Sequence, residues 1–144
     1  MPTRPIHAVM RPEHLVVADA KQSVRDVVHL MAKHDANAVM ITEHGILTGI
    51  FTEHDATFSV LAADVDADAT PVAEVMTHNP MTIAPDHPFV HALHMMYEGG
   101  FRHVPVVDQD RRPIGLVAAT DALNLDAREF GADLERREEI TVIL

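Results

Sequence analysis

Apolar positions along this chain switch between two spacings, and each switch marks a change of element. Val24, Val27, Val28 and Met31 recur at helical spacing, as do Val90, Leu93, Met96 and Tyr97. This predicts two amphipathic helices with those residues facing inward. A short extended run precedes each helix, Leu15-Val16-Val17 and Met81-Thr82-Ile83, followed by a turn at Asp19-Ala20 or Pro85-Asp86. Ser23-x-x-Asp26 has the form of a capping box opening the first helix. After each helix, apolar runs separated by turn residues predict a hairpin. The first joins residues 37–42 and 46–51 around Glu43-His44-Gly45, and the second joins 103–107 and 114–118 around a polar stretch. Further helices are predicted to start near Asp55 and Asp121.

The same pattern therefore occurs twice. A shift of 66 residues, without a gap, lays Val9-Met10 on Val75-Met76, Val24 on Val90, Gly49 on Gly115 and Asp55-Ala56 on Asp121-Ala122. Each half reads strand, helix, strand, strand, helix. A half of this size buries too little of its surface to be comfortable alone. The expected fold is α/β, two β-α-β-β-α repeats packed face to face with pseudo-twofold symmetry. Residues 1–62 would form the first repeat, 63–73 an acidic linker, 74–125 the second repeat, and 126–144 a charged helix with an apolar tail. That tail, Ile140-Thr141-Val142-Ile143-Leu144, is expected to pack on the body or on a second chain, because a bare strand edge invites pairing. Asp64, Asp66 and Asp68 have the alternate spacing of a calcium loop. Ala69 stands where that loop needs Gly, however, and Val75 where it needs Glu.

Composition narrows the function classes. Of 144 residues 47% are hydrophobic but only 4% aromatic, so the core must be aliphatic and methionine-rich. The net charge of −11, from 22 acidic and 11 basic residues, leaves no basic stripe to displace counterions from nucleic acid. No apolar run approaches the ~18 residues of a spanning helix, and the start lacks the apolar stretch of a secretory signal. The cytoplasm is the expected location. Without cysteine, thiolate metal sites and cysteine nucleophiles are excluded. No nucleophile elbow, Gly-rich phosphate loop or His-Glu-x-x-His occurs, so no enzymatic activity is expected. Histidine is abundant, with 11 copies. His87, His91, His94 and Glu98 fall in one helical stripe, and the three imidazoles are weak candidates for Zn or Ni. The stripe lies opposite Val90, Leu93 and Tyr97, so a solvent-facing or dimer-facing side is the first expectation for it.

The sharpest local signal is Gly49-Ile50-Phe51-Thr52-Glu53-His54-Asp55, echoed by residues 115–121. In both places a strand ends, a helix begins, and a hydroxyl and a carboxylate sit at the junction. Free N–H groups at a helix start attract phosphate, and a carboxylate there can accept from ribose hydroxyls. Thr52-x-x-Asp55 is also an ordinary capping pair. Spacing alone leaves both readings open.

With Val-Met near the start of each repeat, the hairpin Phe101-Arg102-His103-Val104-Pro105-Val106-Val107-Asp108, and the closing Gly49 to Asp55 pattern, residues 6–125 resemble two consecutive CBS domains. The resemblance implies a module with two clefts that bind AMP, ADP, ATP, NAD-type ligands or S-adenosylmethionine, the closing Asp holding the ribose. Carried over by position, one cleft joins Ile50, Thr52 and Asp55 to Thr77, Met81, Phe101, Arg102 and His103. The other joins Leu116, Thr120 and Asp121 to Arg11, Leu15, Asp35, Ala36 and Asn37. Ala118 replaces the usual hydroxyl residue, and the first half offers no cation to a phosphate. The first cleft is therefore expected to bind phosphorylated adenosine more tightly, with protonated His103 able to pair with the phosphate. The resemblance implies a non-catalytic sensor, with an adenine nucleotide as ligand, no required cofactor, and a homodimer acting on a further protein. The alternative is a constitutive dimerisation scaffold with vestigial clefts, stabilised by the histidine stripe and a metal.

Overall fold

The structure, a computed structural model, describes residues 4–11 and 15–123. The charged segment and apolar tail expected over 126–144 lie outside the described residues. The elements run α1 (Ile6–Val9), β1 (Val17–Asp19), α2 (Val24–His34), β2 (Ala38–Glu43), β3 (Ile46–Thr52), α3 (Glu53–Asp55), β4 (Thr77–His78), α4 (Phe89–Gly99), β5 (His103–Val107) and β6 (Pro113–Ala118). Strands β1 to β4 form one sheet in that order, parallel between β1 and β2 and antiparallel elsewhere. Strands β5 and β6 form an antiparallel pair.

In the first half the apolar pattern translates closely. Ser23 is extended, and its hydroxyl accepts from the Asp26 N–H at 3.1 Å, which starts α2. The helix buries Val24, Val27 and Met31, while Val28 sits at its exposed flank. Asp35, at a left-handed φ of 49°, ends it. β1 begins two residues later than the extended run predicts, where its ladder with β2 starts at Val17↔Met40, and Val16, Ala18 and Ala20 are buried in alternation. His44 and Gly45, at φ of 53° and 80°, turn β2 into β3 with the backbone hand that matches strand twist.

The second half departs from expectation twice. The run predicted over Met81 to Ile83 contributes only a single parallel bridge, Ile83 to Val106. Pro80 and Pro85, which lack an N–H, bound that run. In α4 the buried face is Phe89, Ala92 and Met96. Leu93 packs partly against the same core, but Val90 is half exposed and Tyr97 is 91% exposed. The helix is apolar at more than one face, and Phe89, seated beside Ile6 and Ile83, decides which turns inward. The histidine stripe does not assemble. His87 precedes the helix, its ring stacking on that of His91 at 5.6 Å. No three His, Asp or Glu groups among the described residues converge as metal ligands.

Each core borrows a segment from the other repeat. Residues 4–10 dock on the second half: the Ile6 N–H donates to the His87 carbonyl at 2.7 Å, and the Phe89 N–H to the Arg4 carbonyl at 2.7 Å. Ile6 is fully buried there. Residues 70–76 dock on the first half in the same manner, with the Val72 N–H donating to the Gln22 carbonyl at 2.8 Å. The methionine of each Val-Met pair closes the exchange. A Cβ at Gly49 would collide with the Met76 side chain, and one at Gly115 with that of Met10. The stretch expected as a linker is likewise packed, with Val65, Ala67 and Ala73 against the first core. There Arg25 pairs with Asp68, and Asp66 accepts from the Asp68 N–H at 3.0 Å. A third cluster, Met40, Leu47 and Val107, joins the two halves.

Candidate functional site

The end of β3 builds the site. Thr52 is the extended N-cap of α3, and its hydroxyl accepts from the Asp55 N–H at 3.4 Å. The Asp55 carboxylate answers by accepting from the Thr52 N–H at 3.0 Å and from the Thr52 hydroxyl at 3.3 Å. This is a full capping box. The following turns, Ala56–Leu61, are wound as π-helix, a rare geometry that is frequent at functional sites. A third donor comes from across the exchange: the Thr77 hydroxyl on β4 reaches Asp55 Oδ1 at 3.3 Å. β4 pairs with β3 at Ile50↔Thr77, which places Thr77 beside the box. Asp55 is only 8% exposed.

Capping and ligand contact are compatible, because the box borders a cavity of about 730 Å³. Small-molecule sites commonly have this size. All eight residues expected in the first cleft line it: Ile50, Thr52, Asp55, Thr77, Met81, Phe101, Arg102 and His103. The second set is divided. Asn37 and Thr120 line this same cavity. Leu15 and Leu116 pack against the cluster between the halves, and Ala36 packs on the first core. Asp35 is exposed at the end of α2, and Arg11 is half-buried. Asp121 repeats one arm of the Asp55 box, accepting from the Ala118 N–H at 2.8 Å. Ala118 provides no hydroxyl for the reciprocal arm.

Glu53, His54, His78, Ala118 and Ala119 also line the cavity. The position of His54 within the 49–55 motif was a usable signal. His78 gave none, since only the pairing of β4 brings it in. Electrostatics in the cavity are mixed. Burial pushes the His103 imidazole below its ordinary pKa; Glu53 and Asp121 work against that, and Arg102 reinforces it. His103 is therefore neutral near pH 7 in the free protein.

A family model of the CBS domain matches residues 6–61 and again 72–128. The chain belongs to the CBS domain family. Among curated relatives, CBS domain-containing protein CBSCBSPB5 of Arabidopsis thaliana is 33% identical over 104 residues, 72% of this chain and 18% of that protein. The chain thus spans less than a fifth of the length of the plant proteins it matches. CBS domain-containing protein YhcV of Bacillus subtilis is 31% identical over 100 residues, covering 69% of this chain and 70% of that one. Among solved structures, the CBS domain pair of protein MJ0100, in complex with 5′-methylthioadenosine and S-adenosyl-L-methionine, superposes with a TM-score of 0.79. It is 29% identical, over 89% of this chain and 99% of that one. CBS pairs of this kind are generally regulatory and non-catalytic. In this CBS pair no described helix is long and apolar enough to cross a membrane.

Proposed function

We propose that this CBS pair is a regulatory sensor that binds an adenosine-containing ligand, without catalysis, in the cavity closed by Thr52 and Asp55. The observation that carries the reading is the crossed assembly of that cavity. Asp55 and Ile50 from the first repeat meet Thr77, Met81 and Phe101 from the exchanged segment and the second repeat. Asp55 suits the ribose, since it is a buried carboxylate beside apolar walls. Phe101 and Ile50 suit the adenine, and Arg102 a phosphate. The ligands of the related MJ0100 pair support the adenosine part of this reading. Binding would regulate a partner by favouring one conformation over another. The chain would act as a homodimer. Phe58 at 61% and Leu61 at 75% exposure put large apolar side chains on one outer helix, as a partner surface requires.

Calorimetry with AMP, ATP, NAD, S-adenosylmethionine and 5′-methylthioadenosine tests the assignment. Binding of at least one of them, weakened at least tenfold by Asp55→Asn, is the expected result. Unchanged melting temperature with every compound at millimolar concentration would overturn it, because a ligand of the native state stabilises by mass action.

A further inference from the structure

Three histidines, His54, His78 and His103, are among the residues that line the Asp55 cavity together with Arg102; His54 and His78 are exposed, and the His54 ring lies 4.5 Å from that of Phe58. The histidines come from three separate elements: the start of α3, strand β4 and the start of β5. We propose that His54, His78 and His103 form with Arg102 a proton-linked phosphate receptor, whose affinity for a phosphorylated adenosine rises as the medium is acidified. This rests on the nucleotide reading of the same cavity and adds its regulation.

Imidazole is the side chain whose charge changes between pH 5 and 8. Glu53 on α3, Asp121 at the second helix start and Arg102 before β5 act on the His103 ring, and Asp55 lines the same cavity. Among the described residues that line the cavity, Arg102 is the one Lys or Arg, and without protonated imidazole it must offset the Glu53 and Asp55 carboxylates, which repel a phosphate. A bound phosphate dianion favours the imidazolium form, so each ring that pairs with it takes a proton from solvent. Burial holds His103 neutral beforehand, so its proton is taken up on binding rather than carried in advance. Linkage then ties affinity to pH, by up to about tenfold per pH unit for each proton taken up.

The test compares AMP with adenosine between pH 8.0 and 6.5, a range in which a phosphate monoester stays largely dianionic, its second pKa being about 6. AMP affinity is expected to rise about fivefold or more across that range, while adenosine affinity stays level. Calorimetry in two buffers of different ionisation enthalpy should show net proton uptake with AMP. The triple variant His54→Gln, His78→Gln, His103→Gln should lose the AMP slope, with its fold checked by circular dichroism. Imidazole resonances of the unaltered protein, titrated with and without AMP, give a readout independent of variant folding, and their midpoints should move up when AMP is bound. A pH-independent AMP affinity, or a slope that survives the triple variant, overturns the proposal while leaving nucleotide binding intact. Failure of every adenosine compound to bind removes the nucleotide reading and this proposal with it.

Discussion

The Asp55 carboxylate accepts from the Thr52 N–H, the Thr52 hydroxyl and the Thr77 hydroxyl, so Asp55→Ala takes away a cap along with a ligand contact. Its stability cost is expected to be about 1 kcal/mol, as for other lost caps, measured by urea unfolding. The same variant should abolish the tighter binding event, because a hydrogen bond to a charged group is worth about 1.5–3 kcal/mol, one to two decades in affinity. Asp121→Ala should leave that event largely intact in calorimetry. Were it the more damaging change, the assignment of residues to clefts would be reversed. Arg102→Ala should weaken AMP more than adenosine, since only AMP carries the phosphate. His103 adds a pH dependence to stability. Its folded-state pKa is lowered, so the unfolded chain binds the extra proton. Stability is complete above the unfolded value of about 6.5 and falls as pH drops through the folded one. Urea midpoints at pH 7.5 and 5.5 should show that fall, and His103→Gln should reduce it.

Among the elements, the hairpins and α2 were legible because one spacing fitted them. The turn His44-Gly45 and the cap Ser23 are local chemistry, independent of the rest of the fold. α4 was not legible in its phase: apolar residues occur at 89, 90, 92, 93, 95, 96 and 97, and the buried face is the one that joins a core containing Ile6, more than eighty positions away. The lining of the Asp55 cavity followed from the repeated motif and its family resemblance, whereas the second set did not stay together, Leu15 and Leu116 packing between the halves and Ala36 on the first core. His78 did not, since strand pairing rather than spacing brings it there. The glycines under the methionines belong to this scale as well. Gly49→Val should destabilise by about 1–3 kcal/mol, the usual cost of overpacking, because Met76 must move away from the strand. Thermal and urea unfolding would report it, and an unchanged midpoint would mean that Met76 repacks freely.

At the scale of the whole molecule, the exchanged segments make the two repeats interdependent. Residues 1–62 lack the 70–76 segment that covers their core, and residues 63–144 lack Ile6 and Met10. Neither fragment should show cooperative unfolding by itself, whereas the whole chain should unfold in one transition seen alike by circular dichroism and fluorescence of a bound dye. Mixing the two fragments should restore structure if the exchange dominates the packing.

The exchange also sets an order in time. Residues 6–10 leave the ribosome before the second repeat, and the Gly115 surface that receives Met10 is made about 100 residues later. At roughly 5–20 residues per second that is a delay of about 5 to 20 s. Throughout it Ile6, fully buried in the finished protein, has no core to enter. An apolar residue made before either core is thus among the last to leave water.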